Sequence, residues 1–329
     1  MINEVGIKEN NIYVSIVIPT FNEENCIVKV IDDIHKAMKS TSYLYEIIVV
    51  DDCSTDSTLE KLKTRSTVRV IKHQSRRGSG AARRAGIKET KGEIVVMIDG
   101  DDTYPANEIS KLLRYFPEYD QVNGARTSES GSHKQIRSFA KWIIRNLACL
   151  LTNQKIPDLN TGLKAFKRSI ALKYLWALPD GFSCVSSITL SFLCNGHSVK
   201  YVPIEYFPRR KSESKFHPIK DTYMYLVTVI RMITYFQPMK VFLPPSILLF
   251  FLGIVKTLID YRMIQRMQLS DVVIFMASFV IFCLGVLADL IVAQARQLGA
   301  VNEETLRELL HDLDSKPQEK PTKEKVYFE

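Results

Sequence analysis

A run of apolar residues that leads directly into three carboxylates constrains the fold more than any other feature of this chain: Ile94-Val95-Val96-Met97-Ile98-Asp99-Gly100-Asp101-Asp102. An apolar run of this length predicts a strand that is buried on both faces. Ligands of open α/β sheets bind beyond the carboxyl ends of the strands. Carboxylates placed there would repel one another unless a cation lay between them, so the motif predicts Mg²⁺ or Mn²⁺ carrying a diphosphate. A solvated acidic turn is the alternative interpretation of this motif taken alone.

Patterns typical of strands and helices alternate along the chain up to about residue 207. Strands are predicted at residues 14–18, 46–50, 68–72 and 94–98, and helices at residues 25–38, 55–63, 80–90 and 105–116. Repeated β-α units of this kind predict a mostly parallel, doubly wound α/β sheet.

Polar clusters follow three of the predicted strands, at residues 19–23, 51–56 and 99–102. Parallel strands release their carboxyl ends at one edge of a sheet, so the three clusters are expected to lie side by side there. The first two clusters can receive a base and a ribose, and the third can hold a metal on a diphosphate.

A glycine-containing segment, residues 76–82, opens the third predicted helix. Backbone N–H groups at a helix start can meet an anion. The segment is neither a Walker loop nor Gly-x-Gly-x-x-Gly, which argues against an ATPase and a dehydrogenase.

The last third of the chain contains two apolar segments, at residues 241–255 and 272–288. The second is long enough to cross a bilayer, and the first becomes so if it extends to Ile259 with Lys256 reaching toward the headgroups. Two buried helices of a soluble domain are the alternative. Basic residues precede the first segment: Arg209, Arg210, Lys211, Lys215, Lys220, Arg231 and Lys240. This bias predicts an integral membrane protein with its N-terminal domain on the cytoplasmic face.

The formal net charge of +8 favours an anionic partner such as phosphates or a membrane surface. Nucleic acid is the weakest option, because the sequence shows no RNA-binding, zinc-finger or basic-zipper motif. None of the six cysteines forms a Cys-x-x-Cys pair, which is typical of reduced thiols in the cytoplasm. We predict a catalytic domain at residues 1–235, a transmembrane hairpin at 236–295, and a short helix with a disordered charged tail at 296–329.

A family resemblance rests on these motifs in their order along the chain. Residues 18–24, 49–56 and 99–102, with supporting matches at 124–126, 160–166, 202–204 and 214–215, resemble the inverting family 2 glycosyltransferases of GT-A fold. Within that family, the chain is similar to the polyprenyl-phosphate glycosyltransferases, the group that includes dolichyl-phosphate mannosyltransferase. The resemblance extends from about Tyr13 to Phe242. It implies transfer of one sugar from a UDP- or GDP-sugar to a polyprenyl phosphate, with inversion.

The resemblance also implies roles for individual residues. The residues that would contact the nucleoside are Pro19, Phe21, Glu23 and Asp52, with Asp51 beside them. Asp99 and Asp101, separated by Gly100, would be the metal-binding pair. Arg126, Arg209 and Lys215 would hold phosphates of donor and acceptor, and Arg137 would face the lipid phosphate.

The chain departs from the family pattern at two places. Thr103 stands two positions after the second metal-binding Asp, where some members carry Gln. Residues 182–187 offer only serine hydroxyls where many relatives place Glu. Metal geometry and the choice of sugar therefore stay open.

The chemistry expected of a polyprenyl phosphate agrees with these residue types. The acceptor is already an anion, so it needs cations that bring two phosphates together rather than a strong general base. One alternative is a family 2 transferase acting on a membrane glycolipid or a polysaccharide, although no Gln-x-x-Arg-Trp motif is present. A non-catalytic membrane scaffold is another, and intact Asp52, Asp99 and Asp101 argue against it. The sequence leaves open the sugar, UDP against GDP, the polyprenol and a homo-oligomeric state.

Overall fold

The computed structural model describes residues 14–127, 146, 148–149, 152–181, 183–207, 227 and 230–315. The chain separates into two compact units, Met1–Phe236 and Gln237–Glu329.

The described part of the first unit contains seven strands that form one sheet. The strands are β1 Val14–Thr20, β2 Tyr45–Asp51, β3 Arg69–Lys72, β4 Ile94–Met97, β5 Gln121–Arg126, β6 Lys164–Lys167 and β7 Val199–Ile204. The helices are α1 Ile27–Lys39, α2 Thr58–Lys63, α3 Ser79–Glu89, α4 Glu108–Leu113, α5 Arg168–Tyr174 and α6 Cys184–Cys194, with a 3-10 turn at Leu175–Ala177.

The sheet has the strand order β3-β2-β1-β4-β6-β5-β7. Strand β6 pairs antiparallel with both β4 and β5, and the other pairings are parallel. The prediction of a mostly parallel α/β sheet is confirmed. Strand β1 lies between β2 and β4, and Thr20 is in register with Asp51. The loops that follow these three strands therefore leave the same edge, as the sequence predicts.

Apolar side chains cover both faces of the sheet, as a doubly wound fold requires. Ile16, Ile18 and Val96 face a core built with α1 and α4, whereas Val17 and Val95 face a second core built with α5 and α6. Helix α1 supplies Ile27, Val30, Ile31, Ile34 and Met38, spaced so that one face of the helix is buried. Full burial of each such side chain contributes roughly 1.5–3 kcal/mol.

Two helices in the first unit, α2 and α4, begin three residues later than their sequence patterns predict. Helix α2 begins at Thr58 rather than near residue 55, because the preceding turn bonds to the loop after β1: the Thr55 N–H donates to Asn22 Oδ1 and the Ser57 N–H donates to Glu24 Oε2. Helix α4 begins at Glu108 rather than at Pro105.

The second unit consists of α7, Met239–Ile264, and α8, Leu269–Ser315. Met239–Ile264 and Leu269–Gln294 are long and apolar enough to cross a membrane, with mean hydropathy of 2.0 and 2.5. Only 11% and 17% of their most apolar windows are buried, which disfavours the alternative of core helices in a soluble domain. Two reciprocal hydrogen bonds join the helices: Ser246 Oγ donates to the Ser278 carbonyl, and Ser278 Oγ donates to the Ser246 carbonyl.

Helix α8 continues without a break to Ser315. The short helix predicted within residues 296–329 is thus the end of this longer helix. The predicted charged tail after residue 315 lies outside the described residues.

Removal of the hairpin is expected to abolish integral membrane association. A chain that ends at Gln237 should be extracted from membranes by alkaline carbonate, because it lacks both apolar helices. A chain that ends at Gln294 keeps both spans and serves as the control, which should stay in the pellet. Full-length protein that is soluble without detergent would contradict the hairpin.

Candidate active site at the carboxyl edge of the sheet

The loops after β1 and β2 are bonded to each other. The Asn22 N–H donates to Ser54 Oγ at 2.9 Å, and the Glu23 N–H donates to Thr58 Oγ1 at 2.9 Å. Asn22, Cys53 and Asp102, one in each of the three strand-end loops, have positive φ values between 57° and 65°. Non-glycine residues in this region are uncommon and cluster at functional sites. The loops after β1, β2 and β4 therefore form one continuous rim at the carboxyl edge of the sheet.

Phe21 presents its ring at this rim, as expected of a residue that receives a base. The guanidinium of Arg76 lies 4.2 Å from the Phe21 ring centroid. Arg76 is exposed, so the pair forms a cationic and aromatic surface on which a planar group can stack. Of the other predicted nucleoside contacts, Glu23 is half-buried and Pro19 is buried within β1. Arg76 was placed in the anion-binding segment by sequence, but its contact with Phe21 was not foreseen.

The two carboxylates at the end of β2 are buried and bonded within the protein. Asp52 accepts hydrogen bonds from His73 Nδ1 at 2.8 Å, Arg77 N at 2.9 Å and Gly78 N at 2.7 Å. Asp51 Oδ2 accepts from Ser54 N at 3.2 Å, and its buried Oδ1 has no hydrogen-bond partner among the described residues. Asp52 thus fixes the loop that leads into α3. Direct contact of either carboxylate with a nucleoside stays a prediction.

Each of the three carboxylates after β4 contacts a different side chain. Asp99 Oδ1 lies 2.5 Å from Arg83 Nη2, and Lys29 Nζ lies 2.6 Å from both carboxylate oxygens of Asp102. Asp101 Oδ1 accepts from Thr103 Oγ1 at 2.6 Å. A bound cation is therefore not the sole means of offsetting the repulsion among these carboxylates, because Arg83 and Lys29 already offset part of it. Sequence reasoning missed both cations, which lie 16 and 73 residues from their partners in the chain.

Metal binding at this cluster requires ligands beyond the side chains that the structure describes. Among the described residues, no group of three or more His, Cys, Asp or Glu side chains is arranged to hold a metal ion. Asp99 and Asp101 offer a two-carboxylate set. Mg²⁺ is commonly bound by one or two carboxylates together with substrate phosphates and water, so these residues fit a divalent ion that arrives with a diphosphate.

Of the two departures from the family pattern, Thr103 contacts this cluster directly, and Ser186 of α6 is linked to it through the loop at residues 160–162. Thr103 orients Asp101 through the hydrogen bond given above. Ser186 Oγ donates to Asn160 Oδ1 at 2.6 Å. Asn160 belongs to the loop that carries Gly162, and a side chain at position 162 would collide with the Asp99 carboxylate. The absence of side-chain bulk at Gly162 thus lets this loop approach the acidic pair.

Arg126, predicted to hold a phosphate, is paired with Asp158. Its Nε and Nη2 donate to the two Asp158 oxygens at 2.7 and 3.0 Å, and its guanidinium lies 5.2 Å from the Tyr206 ring centroid. Burial raises the pKa of Asp158, but hydrogen bonding and charge from Arg126 outweigh it and lower this pKa. Arg126 is thereby fixed in direction, and its phosphate contact stays a prediction.

Lys164 lies in β6 behind this ion pair and is fully buried. Its Nζ donates to Thr189 Oγ1 at 2.7 Å and to the Leu159 carbonyl at 3.4 Å. Burial lowers the pKa of Lys164 to about 7. Lys164 thus supports the loop that carries Asp158 and Asn160.

Stability of the first unit is expected to rise with pH because of Lys164. The folded pKa lies below the ordinary value of 10.5, so between those values the unfolded chain binds more protons than the folded chain. Lys164 is protonated in both states below about pH 7, where the full penalty of burying its charge applies. Relative to Lys164→Met, the wild type should gain up to about 1.4 kcal/mol per pH unit above that point.

Denaturant unfolding in detergent between pH 6.5 and 9 measures this difference. The exposed lysine Lys88, changed to Met, is the matched control for loss of a lysine that is not buried. A pH-independent difference for Lys164→Met would mean that Lys164 keeps its ordinary pKa.

Three predicted site residues, Arg137, Arg209 and Lys215, lie outside the described residues. The structure brings together Phe21, Asp51, Asp52, Asp99, Gly100 and Asp101 on adjacent strand ends of one sheet edge.

Comparison with known proteins identifies two regions of the chain. The family described as "Glycosyl transferase family 2" matches residues 15–175, and the family described as "GtrB C-terminal hairpin" matches residues 237–293. The second match and the two apolar helices together indicate a membrane protein.

Two curated relatives and one solved structure are similar to this chain. Glycosyltransferase AglJ of Haloferax volcanii is 30% identical over 63% of this chain and 68% of its own length. Dolichol-phosphate mannosyltransferase of Pyrococcus furiosus is 28% identical over 67% of this chain and 63% of its own length. The chain therefore spans about two thirds of each relative.

The solved structure is glucosyl-3-phosphoglycerate synthase of Mycobacterium tuberculosis in complex with Mn²⁺, UDP and glucosyl-3-phosphoglycerate. It superposes with a TM-score of 0.53 at 20% identity, covering 67% of this chain and 79% of that one. This likeness establishes the fold of the first unit.

Proposed function

The chain belongs to glycosyltransferase family 2, and we propose that it transfers one sugar from a UDP- or GDP-sugar to a polyprenyl phosphate, with inversion at the anomeric carbon. One observation carries the proposal most directly. The acidic pair Asp99 and Asp101 lies beside the Phe21–Arg76 surface on one sheet edge, in a chain that also contains an apolar helical hairpin. The mannosyltransferase relative is named for a dolichol-phosphate acceptor, which supports a lipid phosphate here.

The donor would bind across the sheet edge. Its base would stack on Phe21 beneath Arg76, and its diphosphate would lie toward Asp99 and Asp101. Asp99 and Asp101 would hold a divalent ion, Mg²⁺ or Mn²⁺, which would supply Lewis-acid stabilisation of the leaving group. Arg83 donates a hydrogen bond to Asp99 and Thr103 donates one to Asp101, so both carboxylates are fixed in direction.

The acceptor phosphate would act as the nucleophile. Because it is anionic, no strong general base is needed, and cationic side chains bring it to the anomeric carbon against the charge of the donor. Arg209, Lys215 and Arg137 are the proposed cations for this step, with Arg126 serving the donor diphosphate. Arg209 and Lys215 also belong to the basic segment before the hairpin, which supports a catalytic unit on the cytoplasmic face.

Incubation of purified protein with polyprenyl phosphate, Mg²⁺ and a panel of nucleotide sugars tests the proposal. Mass spectrometry should detect one added sugar on the lipid phosphate and release of the nucleoside diphosphate. Transfer only to a glycolipid or polysaccharide would favour another family 2 activity. Failure to bind any nucleotide by calorimetry would instead support a non-catalytic scaffold.

A further inference from the structure

An aromatic cluster outside the active site projects from the first unit. Trp176 lies in the 3-10 turn after α5, with its ring centroid 5.6 Å from that of Tyr235 and 6.1 Å from that of Phe236. The ring centroid of Tyr174 lies 5.6 Å from that of Phe236. Phe236 is buried, yet Trp176 is 65% exposed and Tyr235 is 41% exposed. Tryptophan is usually well buried in a soluble domain, so this exposure requires an explanation.

The helical segment at residues 230–236 has two different faces. Met232, Ile233 and Phe236 are buried and fix the segment to the first unit. Arg231 and Tyr235 are exposed and four residues apart, so they are neighbours on the opposite face. This face therefore combines a cation and an aromatic hydroxyl, with Trp176 next to Tyr235.

The short connection between Tyr235 and the first apolar helix limits what can cover the exposed face of residues 230–236. Tyr235 precedes by four residues Met239, the first residue of a candidate membrane span. Four residues reach at most about 14 Å when fully extended. A bilayer crossed by that helix therefore cannot lie far from Tyr235.

The chain that follows Trp176 contacts the start of α3. Asp180, four residues after Trp176, accepts hydrogen bonds through its carbonyl from Gly80 N at 2.7 Å and Ala81 N at 3.1 Å. These N–H groups belong to the first turn of α3, which follows the carboxyl end of β3.

We infer that Trp176, Tyr235 and Arg231 form an interfacial surface that rests in the lipid headgroup layer. Tryptophan and tyrosine prefer this layer because one part of the ring system is apolar and the other can hydrogen-bond to water and headgroups. Arg231 adds attraction to anionic lipid phosphates. The inference rests on membrane insertion of the hairpin and is independent of the sugar-transfer reaction.

Tryptophan fluorescence tests the inference in the full-length protein. The chain has two tryptophans, so Trp142→Phe leaves Trp176 as the only one. This variant is reconstituted into vesicles of phosphatidylcholine and phosphatidylglycerol, with or without bromine atoms on the acyl chains near the headgroup. Brominated lipid should remove about half of the Trp176 emission, and aqueous iodide should quench it only weakly.

A second single-tryptophan protein provides the matched control. Leu44 is 57% exposed and precedes β2, at the opposite edge of the sheet. Leu44→Trp combined with Trp142→Phe and Trp176→Phe should be insensitive to bromine and strongly quenched by iodide. The emission difference between the wild type and Trp176→Phe gives the same readout without altering Trp142.

Two outcomes would overturn the inference. Strong iodide quenching of Trp176 without any bromine effect would place it in water. Protection from both quenchers would show that protein, such as a second copy of the chain, covers the surface. Either result leaves the transferase proposal intact, and loss of transferase activity in any substrate panel would leave a positive quenching result intact.

Discussion

Asp101→Asn is expected to lower the rate of sugar transfer by about 100- to 1000-fold, the loss typical when one electrostatic stabiliser of a transition state is removed. Asn keeps the size of Asp101 and its bond from Thr103 Oγ1, but it removes the charge that a divalent ion requires. Initial rates of lipid-linked sugar formation at saturating donor measure the effect. EDTA-treated wild type should lose activity similarly and recover it with Mg²⁺ or Mn²⁺.

A neighbouring carboxylate distinguishes a metal effect from a general change of charge. Asp33 on α1 is paired with Lys29 and Lys36 and lies outside the acidic loop. Asp33→Asn should leave transfer within about twofold of the wild type, because the two interactions lost are surface ion pairs. Near-normal activity of Asp101→Asn, or of the EDTA-treated enzyme, would refute the metal role.

The parallel part of the fold follows from local sequence patterns. The strands β1, β2 and β4 are apolar runs without alternation, which is the pattern of strands covered on both faces, and each is followed by a polar cluster. Their neighbouring positions in the sheet then place Phe21, Asp52 and Asp99 on one edge without any further assumption.

The antiparallel strand β6 could not be predicted in this way. Its sequence, Lys164-Ala165-Phe166-Lys167, is short and carries a lysine at each end. Strand β6 joins β4 to β5, since Ala165 pairs with both Val96 and Val122. This pairing forms only after the long connection between β5 and β6 brings the chain back to the sheet. The buried lysine is accommodated because Thr189 of α6 and the Leu159 carbonyl accept its hydrogen bonds.

The candidate site shows the same division between local and distant information. The acidic pair and the aromatic ring were recognised from local motifs. The partners that hold them, Arg83 for Asp99 and Arg76 for Phe21, are set by how α3 and its preceding loop pack against β1 and β2. The burial of Asp52 likewise depends on hydrogen bonds from His73, Arg77 and Gly78, which lie 21 to 26 positions later in the chain.

The acceptor phosphate is expected to be indispensable. Free polyprenol should react at least about 1000-fold more slowly than polyprenyl phosphate, because its neutral hydroxyl needs a general base and gains little from paired cations. Lys215→Ala and Arg209→Ala should each raise the KM for polyprenyl phosphate by about 10- to 100-fold, the loss of one charge-assisted hydrogen bond. Lys215→Ala should leave nucleotide affinity nearly unchanged, whereas Arg209→Ala should lower it as well if this side chain also touches the donor diphosphate.

Kinetics with both acceptors and calorimetry with nucleotide separate these effects. Lys88→Ala, an exposed lysine at the end of α3, is the matched control for loss of one positive charge and should change neither quantity. Because a phosphate monoester and a hydroxyl differ in charge as well as in nucleophilicity, the two acceptors report on the cations and on the chemistry together. Comparable transfer to the non-phosphorylated acceptor would mean that the basic segment before the hairpin serves only as a positive-inside flank, and would assign the enzyme to glycolipid synthesis instead.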